Sequence, residues 1–450
     1  MTTKKSRRNR APVAAALAVG ALVLAACGDS ADQSDTDAET DTGAGGAEEI
    51  TLTYYNWATD LEAQELELIA EFEEAHPHIS VQLESVATPE YWTRAEAMAA
   101  SGDLPDVMYM SSGYVQEWIH DDLIINIQEY VDRDIDAEQY ALGTAEDAQH
   151  PESGELYAFP YAFVHTVLYY NVDAFEEAGV PEPTEGWTWD DFLEAAQATT
   201  IGAPGSQKER YGHNFFGRYT QIESWIFNNG GHLVAEDGSI VVDDNAAEAL
   251  AFLESLIHEH EVAPEPREME GMENHEPFTR GLSAMWVDGI FALDSVRNAV
   301  ADDFTWRIAP IPRGPQATED VSYGWSDLMA ISADSDHPEE AWMLIDWLTG
   351  AERPAETVEA GKIPIYMPAA DDDAILQPGV QPDNQEFMLE WGEHAGPTSF
   401  TMGWGEWRGY TGGDGMEAFL DEVLNGRMSL EEAIDRTETR GNEVISRFEQ

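Results

Sequence analysis

From residue 50 onward, the chain alternates between segments with the two-residue period of a strand and segments with helical spacing. Ile50 to Trp57 alternates as a strand does, and residues 61–74 then carry apolar side chains at roughly helical spacing. Further patterns predict a strand at Ile79 to Leu83, a helix at Trp92 to Ala100 and a strand at Asp106 to Met110. This order of strands and helices predicts a parallel sheet with helices on its faces, and therefore an α/β fold.

Ligands of such sheets bind at the carboxyl ends of the strands. Trp57 and Asp60 follow the first predicted strand, and Ser112 follows the third. We therefore treat these three residues as candidates for a ligand site.

Residues 155–171 form an apolar, aromatic run of strand character that is interrupted by Pro160. Proline has no N–H to donate to a sheet, so it is excluded from a central ladder position. One interpretation is a strand that leaves one sheet, bends at Pro160 and enters a second sheet, with Tyr161 and His165 near the gap between two lobes. The alternative is a bulged strand within a single domain.

The rest of the chain also shows both helical and strand patterns. We expect a helix that Thr188 caps, a hairpin around Asp237-Gly238, and a strand that ends at Pro312 and forms a second candidate crossing between lobes. Further segments are predicted as the helix 245–260, the strand 328–331, the helix 339–348, a glycine-rich loop at 404–410 and the helices 416–424 and 430–448. A chain of 450 residues is too long for one compact core, which indicates two or three lobes.

The N-terminus has the composition of an export signal. Five basic residues precede an apolar segment at 11–26 that is too short for a comfortable membrane span. Cys27, the only cysteine, follows Leu-Ala-Ala, which resembles the bacterial lipobox, and a disulfide within the chain is excluded. We expect lipidation at Cys27, an extracytoplasmic location at the outer face of the cell membrane, and a flexible acidic linker at 27–49.

The charge is strongly acidic. The chain has 22 basic and 88 acidic residues, a net charge of −66, and removal of residues 1–26 leaves −71 because that segment holds five bases and no acid. Such a surface repels nucleic acid and anionic lipid, so neither is expected as a partner. Because the acids are spread along the whole chain, adaptation to high salt is favoured over binding of a cationic ligand, which stays open.

A series of short motifs gives the chain a resemblance to a known family. They stand in the family's order from about residue 50 to the end: Phe72-Glu-Glu-Ala-His-Pro77, Gly102-Asp-Leu-Pro-Asp-Val107, Tyr157-Ala-Phe-Pro160, Leu168-Tyr-Tyr-Asn171, Phe278-Thr-Arg-Gly-Leu-Ser-Ala-Met285, Ile308-Ala-Pro-Ile-Pro312, His337-Pro-Glu-Glu-Ala-Trp342 and Gly426-Arg-Met-Ser-Leu-Glu-Glu-Ala433. The chain resembles the solute-binding proteins of bacterial ABC importers, in the maltose-binding-protein-like branch that carries sugars and oligosaccharides.

The resemblance implies a two-lobed periplasmic-binding-protein fold of type II, with the ligand in a cleft between lobes that hinge segments join. We expect the first lobe at 50–160 and 310–352, and the second at 161–309 and 353–450. The resemblance implies capture of a mono- or oligosaccharide, delivery to the permease subunits of an ABC importer, no catalysis and no cofactor. A monomer is expected. The family often has an acidic residue at the position of Val164, and His165 is the nearest polar substitute here.

A sugar ring offers flat C–H faces to aromatic rings and a rim of hydroxyls to polar groups. Several tryptophans lie in loops rather than on helical faces, and those among glycines at 404–410 are expected to stay out of a helical core. The candidate ligand-binding residues are Trp57, Asp60, Ser112, Tyr161, His165, Gln221, Asp288, Phe291, Trp325, Trp404, Trp407, Arg408 and Tyr410.

Two other functions remain open at this stage. A glycoside hydrolase needs only two carboxylates about 5–10 Å apart, and close pairs occur by chance among 88 acids. A binding protein for a polyamine or a peptide is also compatible with an acidic, aromatic cleft. The 12 histidines are scattered, so no metal site is expected.

Overall fold

The computed structural model describes residues 49–214, 219–350, 361–369 and 379–448, apart from residues 393, 395, 397, 411 and 412. Cys27, the leader and nearly all of the expected linker lie outside these ranges. The described strands are β1 (Ile50–Asn56), β2 (Ile79–Ser85), β3 (Val107–Ser111), β4 (Ala158–Asn171), β5 (Tyr211–Asn214), β6 (Ser283–Gly289), β7 (Trp306–Ala309), β8 (Gly324–Ile331) and β9 (Ile363–Pro364).

The predicted parallel sheet is present. β1 pairs in parallel with β2 on one side and with β3 on the other. The helices Glu62–Ala75 and Thr88–Ser101 connect these strands, as the hydrophobic pattern predicts. The second helix ends at Gly102, whose left-handed backbone (φ +67°) satisfies the last turn. The α/β fold class is therefore confirmed.

Strand β4 is the element that joins two sets of strands. Up to His165 it pairs with β8, which in turn pairs with β3, and from Thr166 onward it pairs with β6 and β7. All 14 residues of β4 are buried. The remaining strands extend the two sets: β9 pairs with the first half of β4, and β5 pairs with β6.

The prediction that the chain bends and changes sheets at Pro160 is wrong about the position. The strand continues through Pro160, and its register with β8 shifts between Pro160 and Ala162. Such an irregularity lets a strand accommodate a residue that has no N–H. The partner strand changes five residues further on, between His165 and Thr166. Strand β4 therefore contains both a bulge and a crossing, although the sequence presents the two as alternatives.

The other described helices are Ser112–His120, Gln128–Asp134, Val172–Ala178, Trp189–Thr199, Tyr219–Phe227, Asp244–His258, Glu276–Thr279, Leu293–Val300, Pro338–Thr349, Glu386–Gly392, Trp404–Arg408, Met416–Leu424 and Leu430–Ile445. Thr188 caps its helix as predicted and forms a reciprocal capping box with Asp191. The expected hairpin near Asp237 is reduced to one bridge between Val234 and Ile240. In the described part of the chain, no helix is both long and apolar enough to cross a bilayer.

Candidate functional site

A cavity of about 610 Å³ opens at the carboxyl ends of β1 and β3. This volume lies within the usual range for small-molecule sites. Its walls come from the loop after β1, the helices that begin near Glu62 and Thr88, strand β8, the helix Leu293–Val300 and the segment 400–410. The lining residues are Trp57, Ala58, Thr59, Leu61, Gln64, Thr88, Trp92, Ser111, Phe291, Asp294, Ser295, Asn298, Trp325, Asp327, Lys362, Phe400, Trp404 and Tyr410.

A series of aromatic rings, each in contact with the next, lies in the cavity wall or directly behind it. The successive ring-centroid distances are 5.8 Å for Trp57–Trp92, 3.8 Å for Trp92–Tyr114, 6.0 Å for Tyr114–Trp404, 5.2 Å for Trp404–Phe400, 6.3 Å for Phe400–Tyr323, 5.4 Å for Tyr323–Trp325 and 6.2 Å for Trp325–Phe291. Rings at these spacings support one another by edge and stacking contacts, so their orientations are fixed before a ligand arrives. The cavity therefore presents preformed flat apolar surfaces.

A network of tyrosines packs behind Trp57. The Tyr54 hydroxyl donates to Glu65 at 3.1 Å, and the Tyr109 hydroxyl donates to Glu65 at 3.0 Å. Burial raises the pKa of Glu65, although the two hydroxyls favour its charged form. Tyr109 also contacts the ring of Trp57 edge-on, with centroids 5.0 Å apart, so this network supports the indole from behind.

The charged groups of the cavity wall are paired. Lys362 Nζ lies 2.5 Å from Asp327 Oδ2 and donates to the Tyr161 hydroxyl at 2.9 Å. Asp294 forms an ion pair with Arg297 one helical turn away. The other polar groups of the described lining are amides, hydroxyls and indole N–H groups, so this part of the wall offers hydrogen bonds without an unbalanced charge.

Trp404 is held from several sides. Its indole N–H lies 3.3 Å from Ser399 Oγ, and Ser399 donates in turn to the buried Glu223. Arg408, on the same short helix as Trp404, lies 3.7 Å from Glu223, and both side chains are fully buried. At the other side of the ring, a Cβ on Gly113 would lie only 2.6 Å from Trp404 Cε3, so the close approach requires glycine.

Five of the predicted site residues line the cavity: Trp57, Phe291, Trp325, Trp404 and Tyr410. Tyr161 lies directly behind the wall, where its hydroxyl contacts Lys362 and Asp327. Ser112 is buried and donates to the carbonyl of Ser326, whereas its neighbour Ser111 lines the cavity.

His165, Asp288 and Gln221 lie away from the lining. His165 is fully buried, with Nε2 2.7 Å from the Met388 carbonyl oxygen, and Asp288 accepts hydrogen bonds from Thr220 and from the Gly289 N–H. Gln221 is buried on the helix Tyr219–Phe227. The side chain of Asp60 lies outside the described residues.

The expectation that the tryptophans of the 404–410 segment avoid a helical core is wrong. Residues 404–408 form a short helix in which Trp404, Trp407 and Arg408 are buried. The glycines permit this burial: a Cβ on Gly405 would lie 2.3 Å from Tyr114 Oη. Trp407 donates to Thr401 behind the cavity wall, and Arg408 pairs with Glu223 and Glu417.

Sequence reasoning missed several lining residues, above all Trp92, Asp294, Asn298, Asp327, Lys362 and Phe400. Trp92 and Asn298 sit in helical patterns, which give no sign that one face meets a cavity. Lys362 carries a usable signal, because only Lys208 and Lys362 remain as lysines after the leader.

Comparison with known proteins identifies the family. Residues 56–353 match the family described as bacterial extracellular solute-binding protein. A binding protein from Brucella abortus is 27% identical over 226 residues, which cover 49% of this chain and 53% of that protein, so the chain spans about half the length of the relatives that match first. An arabinooligosaccharide-binding protein from Bacillus subtilis is 22% identical over 347 residues, 74% of each chain.

Solved structures share the fold. An ABC substrate-binding protein from Listeria monocytogenes in complex with cycloalternan has a TM-score of 0.77 and 23% identity, and the match covers 89% of this chain and 100% of that chain. A maltose-bound protein of T. maritima has a TM-score of 0.72 and 19% identity, with coverages of 87% and 98%. A Mycobacterium tuberculosis protein in complex with glycerophosphocholine has a TM-score of 0.76 and 18% identity, with coverages of 89% and 99%.

These likenesses show the two-lobed α/β architecture of maltose-binding-protein-like proteins, as predicted. The family match covers well over half of the chain, from the end of β1 to just past the helix Pro338–Thr349. This chain is a member of the bacterial extracellular solute-binding protein family.

Proposed function

We propose that this chain is the substrate-binding lipoprotein of an ABC importer, and that it captures a mono- or oligosaccharide and delivers it to a membrane permease. The observation that carries the proposal is the cavity in which Trp57, Trp325, Trp404, Phe291 and Tyr410 surround paired charges and neutral polar groups. Aromatic faces beside a hydrogen-bonding rim suit a sugar ring. Relatives named as arabinooligosaccharide-binding and multiple sugar-binding proteins support the same class of solute.

Lobe closure is part of the proposal. We place the first lobe at 50–160 and 310–352, and the second at 161–309 and 353–450. The pairing of β4 supports a crossing close to the first boundary, since its partner changes from β8 to β6 between His165 and Thr166. A second crossing fits between β7 and β8, which belong to different sets of strands.

Membrane attachment is also proposed. A lipid on Cys27 and the acidic linker would hold the folded part near the permease, at the outer face of the cell membrane, as a monomer. The lipobox-like Leu-Ala-Ala-Cys sequence supports this. A relative named as a lipoprotein from Streptomyces antibioticus, 24% identical over 352 residues, supports it as well.

A second candidate is a binding protein for a non-sugar solute, such as a polyamine or a peptide. The structural neighbour in complex with glycerophosphocholine supports this candidate, because its ligand is not a sugar and aromatic rings also bind quaternary amines. The pairing of Asp327 with Lys362 and of Asp294 with Arg297 weighs against it, since neither carboxylate is left to balance a cationic ligand. A glycoside hydrolase is the third candidate, and the match to a solute-binding family argues against it.

The test is a titration panel in high salt. Neutral mono- and oligosaccharides, spermidine and a mixed peptide pool are added to the folded protein, with tryptophan fluorescence and calorimetry as readouts. We expect micromolar or tighter binding of at least one neutral sugar and no released reducing sugar. Binding of spermidine or peptides alone would support the second candidate, and released sugar would support the hydrolase.

Trp325→Ala is the first variant to measure against this panel. Removal of the ring should weaken binding of the selected sugar roughly tenfold or more, because a stacked face contributes more than its apolar area alone. Trp347→Leu is the matched control, since Trp347 is partly buried, donates to the Leu68 carbonyl and lies outside the cavity lining. Equal affinities for wild type and Trp325→Ala would remove this cavity from the proposal.

A further inference from the structure

Asp327 and Lys362 lie side by side in the cavity wall, although they come from distant parts of the chain. Asp327 belongs to β8, and Lys362 directly precedes β9, which pairs with β4 at Ala162 and Phe163. Their side chains are 9% and 13% exposed, and the Nζ–Oδ2 distance is 2.5 Å. The pair is thus nearly buried in the protein and still borders the cavity.

The hydrogen-bonding capacity of this pair is only partly used. An ammonium group has three N–H donors, of which Asp327 and Tyr161 accept two. Asp327 Oδ2 accepts both the Lys362 N–H and, at 3.4 Å, the Tyr161 hydroxyl. Among the described residues, no hydrogen bond is made to Asp327 Oδ1. Within the described residues, one ammonium N–H of Lys362 and Asp327 Oδ1 are therefore still available for hydrogen bonds.

The pair is also neutral as a unit, in a chain whose overall charge is −66. Among the described residues that line the cavity, Lys362 is the single basic one, and it is one of two lysines after the leader. The second acid of the lining, Asp294, is paired with Arg297. A charged ligand placed against the pair would meet a like charge on one member and an opposite charge on the other. The pair therefore offers no net attraction to offset the cost of taking the ligand's charge out of water.

We infer that the Asp327–Lys362 pair recognises a vicinal diol of an uncharged sugar: the ammonium donates to one hydroxyl oxygen, and Asp327 Oδ1 accepts from the adjacent hydroxyl. This inference rests on the proposed function and adds the residues that select for hydroxyl pairs and against charge. Tyr161 positions the ammonium from behind through its hydroxyl. The ring of Tyr161 in turn stacks on Tyr109, with centroids 4.7 Å apart.

Three variants test it: Lys362→Met, Asp327→Asn and the double variant. The probes are glucose, arabinose, maltose, maltotriose and arabinotriose, with glucosamine and glucuronic acid as charged counterparts. Wild type should bind at least one neutral probe and bind the charged probes at least tenfold more weakly. Each variant should lose roughly tenfold or more of that neutral affinity, since hydrogen bonds to charged groups are involved. Lys362→Met should shift selectivity towards glucosamine, and Asp327→Asn towards glucuronic acid.

The double variant protects the test against misfolding. A single replacement leaves a buried charge without its partner and lowers the unfolding temperature, whereas the double replacement removes both charges and restores it. The loss of affinity should nevertheless persist in the double variant. The matched control is the double variant Lys208→Met with Glu261→Gln. It removes a 2.9 Å ion pair of the other lysine, which lies outside the cavity lining. This variant should leave the sugar affinity unchanged.

The possible outcomes separate the two proposals. If wild type binds a neutral probe and the folded double variant binds it equally well, the inference is overturned while the proposed function stands. Equal binding of glucosamine or glucuronic acid by wild type would also overturn it. If no neutral sugar of the whole titration panel binds to wild type, the proposed function itself fails.

Discussion

At the scale of single residues, His165 shows how burial outweighs hydrogen bonding. The ring is fully buried where β4 changes partners, with carbonyl oxygens 2.7 Å from Nε2 and 3.3 Å from Nδ1. Both carbonyls favour the protonated ring, yet burial dominates and lowers the pKa of His165 to about 4. The folded protein therefore holds His165 neutral under conditions in which an exposed histidine is charged.

His165→Gln should change how stability depends on pH. Between about pH 6.5 and pH 4 the unfolded chain protonates His165 and the folded protein does not, so protonation favours unfolding as the pH falls. Wild type should lose about 3 kcal/mol of unfolding free energy relative to His165→Gln over this window. Urea titrations of both proteins at several pH values measure the difference, in which the contributions of other buried groups cancel. A difference that is constant with pH would contradict the neutral, buried histidine.

At the scale of elements, the short helix Trp404–Arg408 brings the C-terminal part of the chain to the cavity. It packs against the helix Ser112–His120 through Gly113 and Tyr114. On the other side, Ser399 and Glu223 tie the helix and the segment before it to the helix Tyr219–Phe227. Elements that are distant in sequence thus fix the orientation of one ring, Trp404.

Gly113→Ala should displace that ring. The backbone of Gly113 is helical, where alanine is normally the more stable residue by about 1 kcal/mol. The new methyl group would lie 2.6 Å from Trp404 Cε3, so the indole must move. We expect a shifted ¹⁹F resonance of Trp404 in 5-fluorotryptophan-labelled protein, assigned with Trp404→Phe, and a loss of sugar affinity of roughly tenfold.

Ser112→Ala is the control for this substitution. It changes the same helical turn and removes the hydrogen bond to the Ser326 carbonyl, but it adds no atom near Trp404. An unchanged Trp404 resonance in Gly113→Ala would show that the helix, rather than the ring, gives way.

At the scale of the whole molecule, charge is the dominant feature. In the described part of the chain, most arginines and lysines are already engaged in ion pairs, for example Arg133 with Asp134 and Glu339, and Arg307 with Glu182 and Asp383. Acids outnumber bases 88 to 22, so there is only one base for every four carboxylates. Repulsion among them opposes the compact state.

Added salt should therefore stabilise the protein. Raising KCl from 0.1 M to 2 M shortens the screening length from about 10 Å to below 3 Å, so repulsion between neighbouring carboxylates falls. We expect the unfolding temperature to rise by roughly 5 °C or more, measured by scanning calorimetry. Sucrose, which stabilises without screening charge, is the control. A larger effect of sucrose than of KCl, or none of KCl, would argue against repulsion as the cause.

Much of this protein follows from local sequence patterns. The strand and helix periods between residues 50 and 111 determine the parallel sheet, and Thr188 with Asp191 determines a helix start, because both signals depend on neighbours a few residues away. Trp57 was found for the same reason, because it directly follows β1 and lines the cavity.

Tertiary structure decided what depends on contacts between distant residues. The place where β4 changes sheets is set by its pairing with β8 and β6, which no local signal around Pro160 encodes. Lys362 meets Asp327, 35 residues away, only because β8 and β9 pair with the same residues of β4 from its two edges. The sequence also does not determine whether a tryptophan among glycines faces solvent or the core. Trp404 is buried because Gly113 and Gly405, which have no Cβ, let the helices Ser112–His120 and Trp404–Arg408 approach each other closely.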